Sequence, residues 1–175
     1  LKQWGYGMDT NSVATTLAIE WAEKFPMYLR NIYINEGEKD QVQNIKSFAD
    51  TAAPAVLLQH LLTVVEDLKS KFGDWQVPWG TINRYQRIST EINQRYSDSA
   101  KSYPVAFAPS TWGALPAFGS SHFNGNKLRY GTKGNSFVCA VEFGKRVRAK
   151  SLLAGGESGN ASSIHFSDQL EMYTQ

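Results

Sequence analysis

At Gly73 the hydrophobic pattern of this chain changes period, and that change limits its fold class more than any other feature. Upstream, Leu57, Leu58, Leu61, Leu62, Val64, Val65 and Leu68 recur across Pro54–Phe72, which predicts a helix whose wide apolar side is covered by neighbouring elements. Pro54 suits a first helical turn, and Asp50 or Thr51 is available near the cap. Lys69 and Lys71 complement the dipole at the far end, where Gly73 supplies the stop. Gln59, His60, Glu66 and Asp67 interrupt the run, so it does not read as a membrane span. Earlier, Val13, Leu17, Trp21 and Phe25 make a second stripe, with Asp9, Thr10, Asn11 and Ser12 as cap candidates and Pro26 as its end. Residues 41–48 add a weak helix, residues 35–39 read as polar loop, and Ile32-Tyr33-Ile34 is too short to classify.

Downstream of Gly73, tryptophan, proline and glycine punctuate the sequence, and short strands and loops replace long helices. Residues 103–109 and 111–118 are extended or turn segments whose prolines bar them from central ladder positions, and residues 119–134 read as a polar loop. Val138, Ala140 and Phe143 with Val147, Ala149 and Leu152 form apolar runs interleaved with Glu142, Lys145, Arg146, Arg148 and Lys150. That is the pattern of a hairpin with one wet face and Gly144 at its turn. Cys139, the only cysteine, falls inside this pattern where a small buried hydrophobe fits. The fold class is therefore α+β: residues 1–73 mainly helical, residues 74–175 mainly strands and loops, without an internal repeat.

Composition excludes several functions. With 42% hydrophobic and 13% aromatic residues the chain has the apolar mass for one domain-sized core or a large piece of a bigger one, and disorder is ruled out as its overall state. The net charge is +2 and the one basic cluster, residues 145–150, alternates with apolar residues as the solvated face of a strand does, so no nucleic-acid partner is expected. His60, His122 and His165 lie far apart with a single cysteine, and Glu36, Glu38 and Asp40 lack the ordered oxygen pattern of a calcium loop. No metal and no cofactor are expected.

Chemistry-bearing residues concentrate in two blocks. Gly155-Gly156-Glu157-Ser158-Gly159-Asn160 is a turn-rich loop, followed by His165-Phe166-Ser167-Asp168-Gln169. His165 and Asp168 are spaced to share a helical face, and Ser158 or Ser163 would complete a Ser-His-Asp set. Triads are defined by spatial geometry rather than sequence proximity, however, and no nucleophile-elbow motif is present. The expected role is structural: the pair fixes the glycine-rich loop, with Asp168 or Ser167 capping a terminal helix and His165 bonding a loop carbonyl. The second block runs Gly73-Asp74-Trp75-Gln76-Val77-Pro78-Trp79-Gly80-Thr81-Ile82-Asn83-Arg84-Tyr85. Trp75, Trp79 and Tyr85, flanked by Asn83, Arg84 and Arg87, form either a stacking platform or the packing of the loop that leaves the long helix. The second reading is favoured, with Arg84 pairing a buried carboxylate or a loop carbonyl.

Together these blocks resemble the penicillin acylase family, which includes cephalosporin and acyl-homoserine lactone acylases. The match is to its GDWxVPWGxxNR segment and its GGQSG…HF-x-DQ signature, with Glu157 where the family often has glutamine. The resemblance spans most of residues 55–175 and marks Trp79, Asn83, Arg84, Gly155, Gly156, Ser158, Gly159, His165, Asp168 and Gln169 as family-signature positions of structural character. It implies an N-terminal nucleophile hydrolase with an αββα architecture, of which this chain is the C-terminal part of the β chain. The nucleophilic serine and oxyanion-stabilising asparagine are expected upstream, because no position here matches either motif. The implied parent hydrolyses a linear N-acyl amide, such as an acyl-homoserine lactone or a β-lactam side chain. Residues 1–175 alone are expected to be inactive, their partners being the remainder of the acylase α and β chains, and the location periplasmic or secreted. Residues 111–123 are expected to reach the acyl or leaving-group side of that site. The competing expectation is a noncatalytic binding module that uses aromatic loops and exposed strand edges.

Overall fold

The computed structural model describes residues 1–25, 41–109, 112 and 118–174. The expectations on Pro26, Ile32-Tyr33-Ile34, residues 35–39, Glu36, Glu38, Asp40 and part of residues 111–118 lie outside them. The chain divides into two compact units, Leu1–Gly7 with Ser12–Pro78 and Met8–Asn11 with Trp79–Gln175.

The first unit is helical. Helix α1 (Val13–Ala22) starts where the Ser12 side chain accepts a hydrogen bond from the Thr15 N–H at 3.0 Å, satisfying one of the orphan donors of a first turn. Helix α2 spans Gln41–Thr51 and α3 spans Pro54–Phe72. The predicted stripe of α1 reaches a cluster in which Phe25 and Phe48 are buried and Trp21, Ile45, Val56 and Leu57 pack against them. The Trp21 indole also donates to the Leu57 carbonyl at 3.0 Å, and Lys24 meets Asp67 at 2.9 Å. The α3 C-terminus is as read from sequence: Gly73 adopts φ 85° and its N–H bonds the Lys69 carbonyl, a left-handed stop that glycine makes without Cβ strain.

Two expectations about α3 are corrected. Its cap position is Ala53, with no side-chain hydrogen bond, rather than Asp50 or Thr51. Helix α2 extends through Thr51, whose hydroxyl donates back to Ser47, and only Ala52 and Ala53 remain between the helices. The apolar side is also less covered than expected: Val64 and Leu68 are buried, but Leu58 and Leu62 are 57% and 55% exposed. Among the described residues no single helix is long and apolar enough to cross a membrane.

The second unit holds a short helix α4 (Trp79–Ile82) and strands β1 (Asn83–Tyr85), β2 (Tyr103–Pro104), β3 (Phe118–His122), β4 (Arg129–Gly134), β5 (Phe137–Glu142) and β6 (Arg148–Leu153). A 3-10 turn, Ile164–Phe166, and helix α5 (Leu170–Thr174) follow. Four strands form a mixed sheet ordered β2-β1-β4-β3, with β1 parallel to β4 and the other pairs antiparallel. Pro104 sits on the outer strand of that set, where its missing N–H costs no ladder bond. Val105, Phe118 and Tyr173 form the buried cluster of this unit, with Tyr85, Phe107, Leu152 and Ala154 against it.

Residues 119–134 are therefore not a polar loop. They carry most of the β3–β4 hairpin, with Arg129 and Tyr130 fully buried; Gly119, Ser120, Ser121, Gly131 and Gly134 are strand residues held by the ladder, and Gly125 lies in the turn between. The β5–β6 hairpin forms in the expected place, with Gly144 inside its connection. Its burial differs from expectation: β5 is exposed on both faces, and Cys139 is exposed rather than buried. The alternating pattern makes the strands, but among the described residues only the Leu152–Leu153 end of β6 is half-buried against the core.

Candidate functional site

The loop from Gly155 to Gln169 is held from beneath by Arg87. Its guanidinium donates to the carbonyls of Phe166 at 2.6 Å, Ser158 at 3.0 Å and Gly156 at 3.5 Å, and lies 4.1 Å from the centroid of the Phe166 ring. A planar donor fork meets several carbonyls where an ammonium could not reproduce the geometry. The glycines make room for this. Gly155 has φ 115°, and a Cβ on it would sit 2.8 Å from the Arg87 Nη1, while a Cβ on Gly156 would sit 2.3 Å from the His165 carbonyl oxygen. Gly159 has open space around it and is exposed.

Gln169 closes the loop from the other side. Its N–H donates to the Gly155 carbonyl at 3.0 Å, its Oε1 accepts from the Leu153 N–H at 2.7 Å, and its Nε2 donates to Glu157 at 3.3 Å. The Ser158 N–H donates to the His165 carbonyl, and the Tyr85 hydroxyl donates to Ala154. Burial and then the neighbouring Tyr173 raise the Tyr85 phenol above its ordinary value, so it serves as a proton-bearing donor and not as a base.

His165 and Asp168 meet as the spacing predicted, Nδ1 to Oδ2 at 2.7 Å, on the surface, with side chains 60% and 37% exposed. The expected bond from His165 to a loop carbonyl is replaced by this pair, because the ring turns outward while the His165 carbonyl faces the loop. The Ser163 hydroxyl accepts from the His165 N–H and caps the 3-10 turn that precedes the terminal helix. The Ser158 hydroxyl accepts from the Asn160 N–H at 3.1 Å. Among the described residues, neither hydroxyl is hydrogen-bonded to the imidazole.

The Gly73–Tyr85 block is buried in part. Trp79 and Asn83 are fully inaccessible. The Asn83 amide donates to the carbonyls of Val105 at 2.8 Å and Phe107 at 2.9 Å, fixing the chain that follows β2. Arg84 bonds the Gly80 carbonyl at 2.8 Å and both the hydroxyl and carbonyl of Ser102, which is the carbonyl alternative of its expected partners. Burial lowers its pKa, with partial opposition from Tyr130. Under Trp79 lies Arg129, its guanidinium carbon 5.7 Å from the ring and its nitrogens on Ser120. Trp79 is thus core and not an exposed stacking platform.

In the sequence Arg87 stands out only as a flank of the second block, Gly73–Tyr85. Its targets lie 69 to 79 residues away, so no local pattern marks it. The one hint is the pair of positive-φ or tight glycine positions that an arginine can fill from below. A cleft of about 300 Å³ opens beside the loop, lined by Tyr85, Arg87, Tyr96, Phe118, Lys133 and Tyr173 among others. Burial raises the Tyr96 and Tyr173 phenols. His60 packs edge-on against Phe25 within α3, and His122 ends β3. Residues 1–175 match the family model described as penicillin amidase.

Proposed function

The chain belongs to the penicillin amidase family, and on that premise we propose that it is part of an amidohydrolase whose attacking serine is supplied by polypeptide outside residues 1–175. The observation that carries this reading is the use made of the loop hydroxyls. Ser158 and Ser163 each accept a hydrogen bond from a backbone N–H within a turn, and the His165 ring is engaged by Asp168. A serine without a base at its proton is not an activated nucleophile.

In the proposed reaction the α-amino group of an N-terminal serine, with an ordinary pKa of roughly 7.7 to 8.0, takes the hydroxyl proton directly or through water. The oxygen attacks the acyl carbon, an asparagine amide outside this chain stabilises the oxyanion, and the amine departs with the proton. Water then releases the acid from the acyl-serine. The substrate class is a linear N-acyl amide, with an acyl-homoserine lactone or a β-lactam side chain as candidates and the acyl-homoserine lactone or a general N-acyl amide favoured. The contribution of this chain is positional: Arg87 and Gln169 hold the glycine-rich corner, and Asn83 and Arg84 hold the segments that flank β2. A periplasmic or secreted location goes with the proposal.

Labelling the active enzyme with a sulfonyl fluoride tests it. The adduct is expected on an N-terminal serine in a peptide outside residues 1–175. An adduct on Ser158 or Ser163, or amide hydrolysis by residues 1–175 alone, overturns the reading.

A further inference from the structure

The β5–β6 hairpin has a composition that calls for cover and an environment that supplies little. Its register pairs Phe137 with Leu153, Cys139 with Ser151 and Val141 with Ala149, whereas Val138, Ala140 and Glu142 oppose Leu152, Lys150 and Arg148. Opposed residues share a face and successive residues alternate, so the first face holds no charged side chain and the second holds them all. The neutral face is nevertheless open: Phe137 is 57% exposed, Val141 44%, and Cys139 is exposed. At the connection Phe143 and Val147 are 85% and 65% exposed. A lone two-stranded ribbon is marginal in water, and exposed apolar area of this kind marks an interaction surface.

Charge says what kind of partner fits. The hairpin and its turn carry Lys145, Arg146, Arg148 and Lys150 against Glu142 alone, more positive charge than the whole chain's net +2, so the remaining residues are net acidic. Among the described residues the outer edge of β6 pairs with no strand. A strand laid along that edge would meet Arg148 and Lys150 on one face and Ala149 and Ser151 on the other. We propose that this edge receives an extended polypeptide segment alternating acidic and apolar residues, whose carboxylates pair with Arg148 and Lys150 and whose apolar side chains extend the neutral face. The proposal rests on the reading that further acylase polypeptide assembles with this chain. Charged edge residues reject unselected strands by leaving cations unpaired, which makes an acidic segment the specific occupant.

The test uses the complete, active acylase. Hydrogen exchange at the β6 amides that face the outer edge is expected to be at least about tenfold slower in the native enzyme than in the double variant Arg148→Glu/Lys150→Glu, since a strand paired along that edge takes up those N–H groups. Carbodiimide is expected to join Lys150 or Lys145 to an Asp or Glu of an alternating segment outside residues 137–153. Exchange in the native enzyme as fast as in the double variant overturns the proposal, as does a cross-link only to a second copy of this hairpin or protection that appears only with anionic vesicles. Serine labelling by the sulfonyl fluoride is read separately, so a rapidly exchanging β6 edge beside a labelled N-terminal serine defeats the docking surface and leaves the reaction standing.

Discussion

The loop after β6 and the hairpin that precedes it are neighbours in sequence but are held in opposite ways. The hairpin relies on its own ladder and exposes most of its side chains, while the loop has little regular structure and is fixed by Arg87, which reaches three of its carbonyls from far along the chain. Regular backbone pairing therefore does not measure how firmly a segment of this molecule is anchored. A charged side chain that satisfies several carbonyls at once does more for an irregular loop than alternation does for an uncovered ribbon.

The largest effect expected from breaking this contrast is at Arg87. Arg87→Ala removes three carbonyl contacts and the packing on Phe166, and a loss of about 3 kcal/mol is expected. In hydrogen exchange the amides of residues 155–169 should lose protection while those of β5 and β6 keep theirs. Arg87→Lys should recover little, because an ammonium lacks the fork. Asn83→Ala should cost about 2 kcal/mol in denaturant unfolding, since it strands the carbonyls of Val105 and Phe107 in a buried site.

A smaller effect is expected on acidification. Burial raises the Asp98 pKa, but the hydrogen bonds it accepts from Lys127, Asn126 and Tyr130 outweigh burial and hold it below the ordinary carboxylate value. A depressed carboxyl contributes its stability above its unfolded value, near 3.9 by reference (roughly), and loses it as pH falls through the lower folded value. Asp98 is largely exposed, so the contribution stays below about 1 kcal/mol. Comparing wild type with Asp98→Asn in acid unfolding should show the two curves converging toward the lowest pH, and a gap that widens instead contradicts the assignment.

The legibility of this sequence follows the range of the interactions involved. Helix α3 with its Gly73 stop, the Ser12 cap and the β5–β6 alternation depend on residues a few positions apart and were readable. The β3–β4 pair was not, because Gly119, Ser120 and Ser121 become strand only by pairing with Lys133, Gly131 and Tyr130. The exposure of Cys139 escaped for a related reason: alternation gives the two faces of a ribbon but not which layers cover them. At the candidate site the His165–Asp168 contact followed from spacing, whereas Arg87 depends on long-range topology. The two signature blocks were legible as a family mark, and their contacts show polar side chains spent on backbone carbonyls.

The central claim is that the His165–Asp168 corner supports the fold and takes no part in bond cleavage. Measuring kcat/KM of the complete enzyme with His165→Ala tests it most directly. The account predicts a value within about threefold of wild type, as for an exposed pair worth less than about 1 kcal/mol. A loss of roughly a thousandfold or more with an unchanged fold, the scale on which a triad member acts, would contradict it.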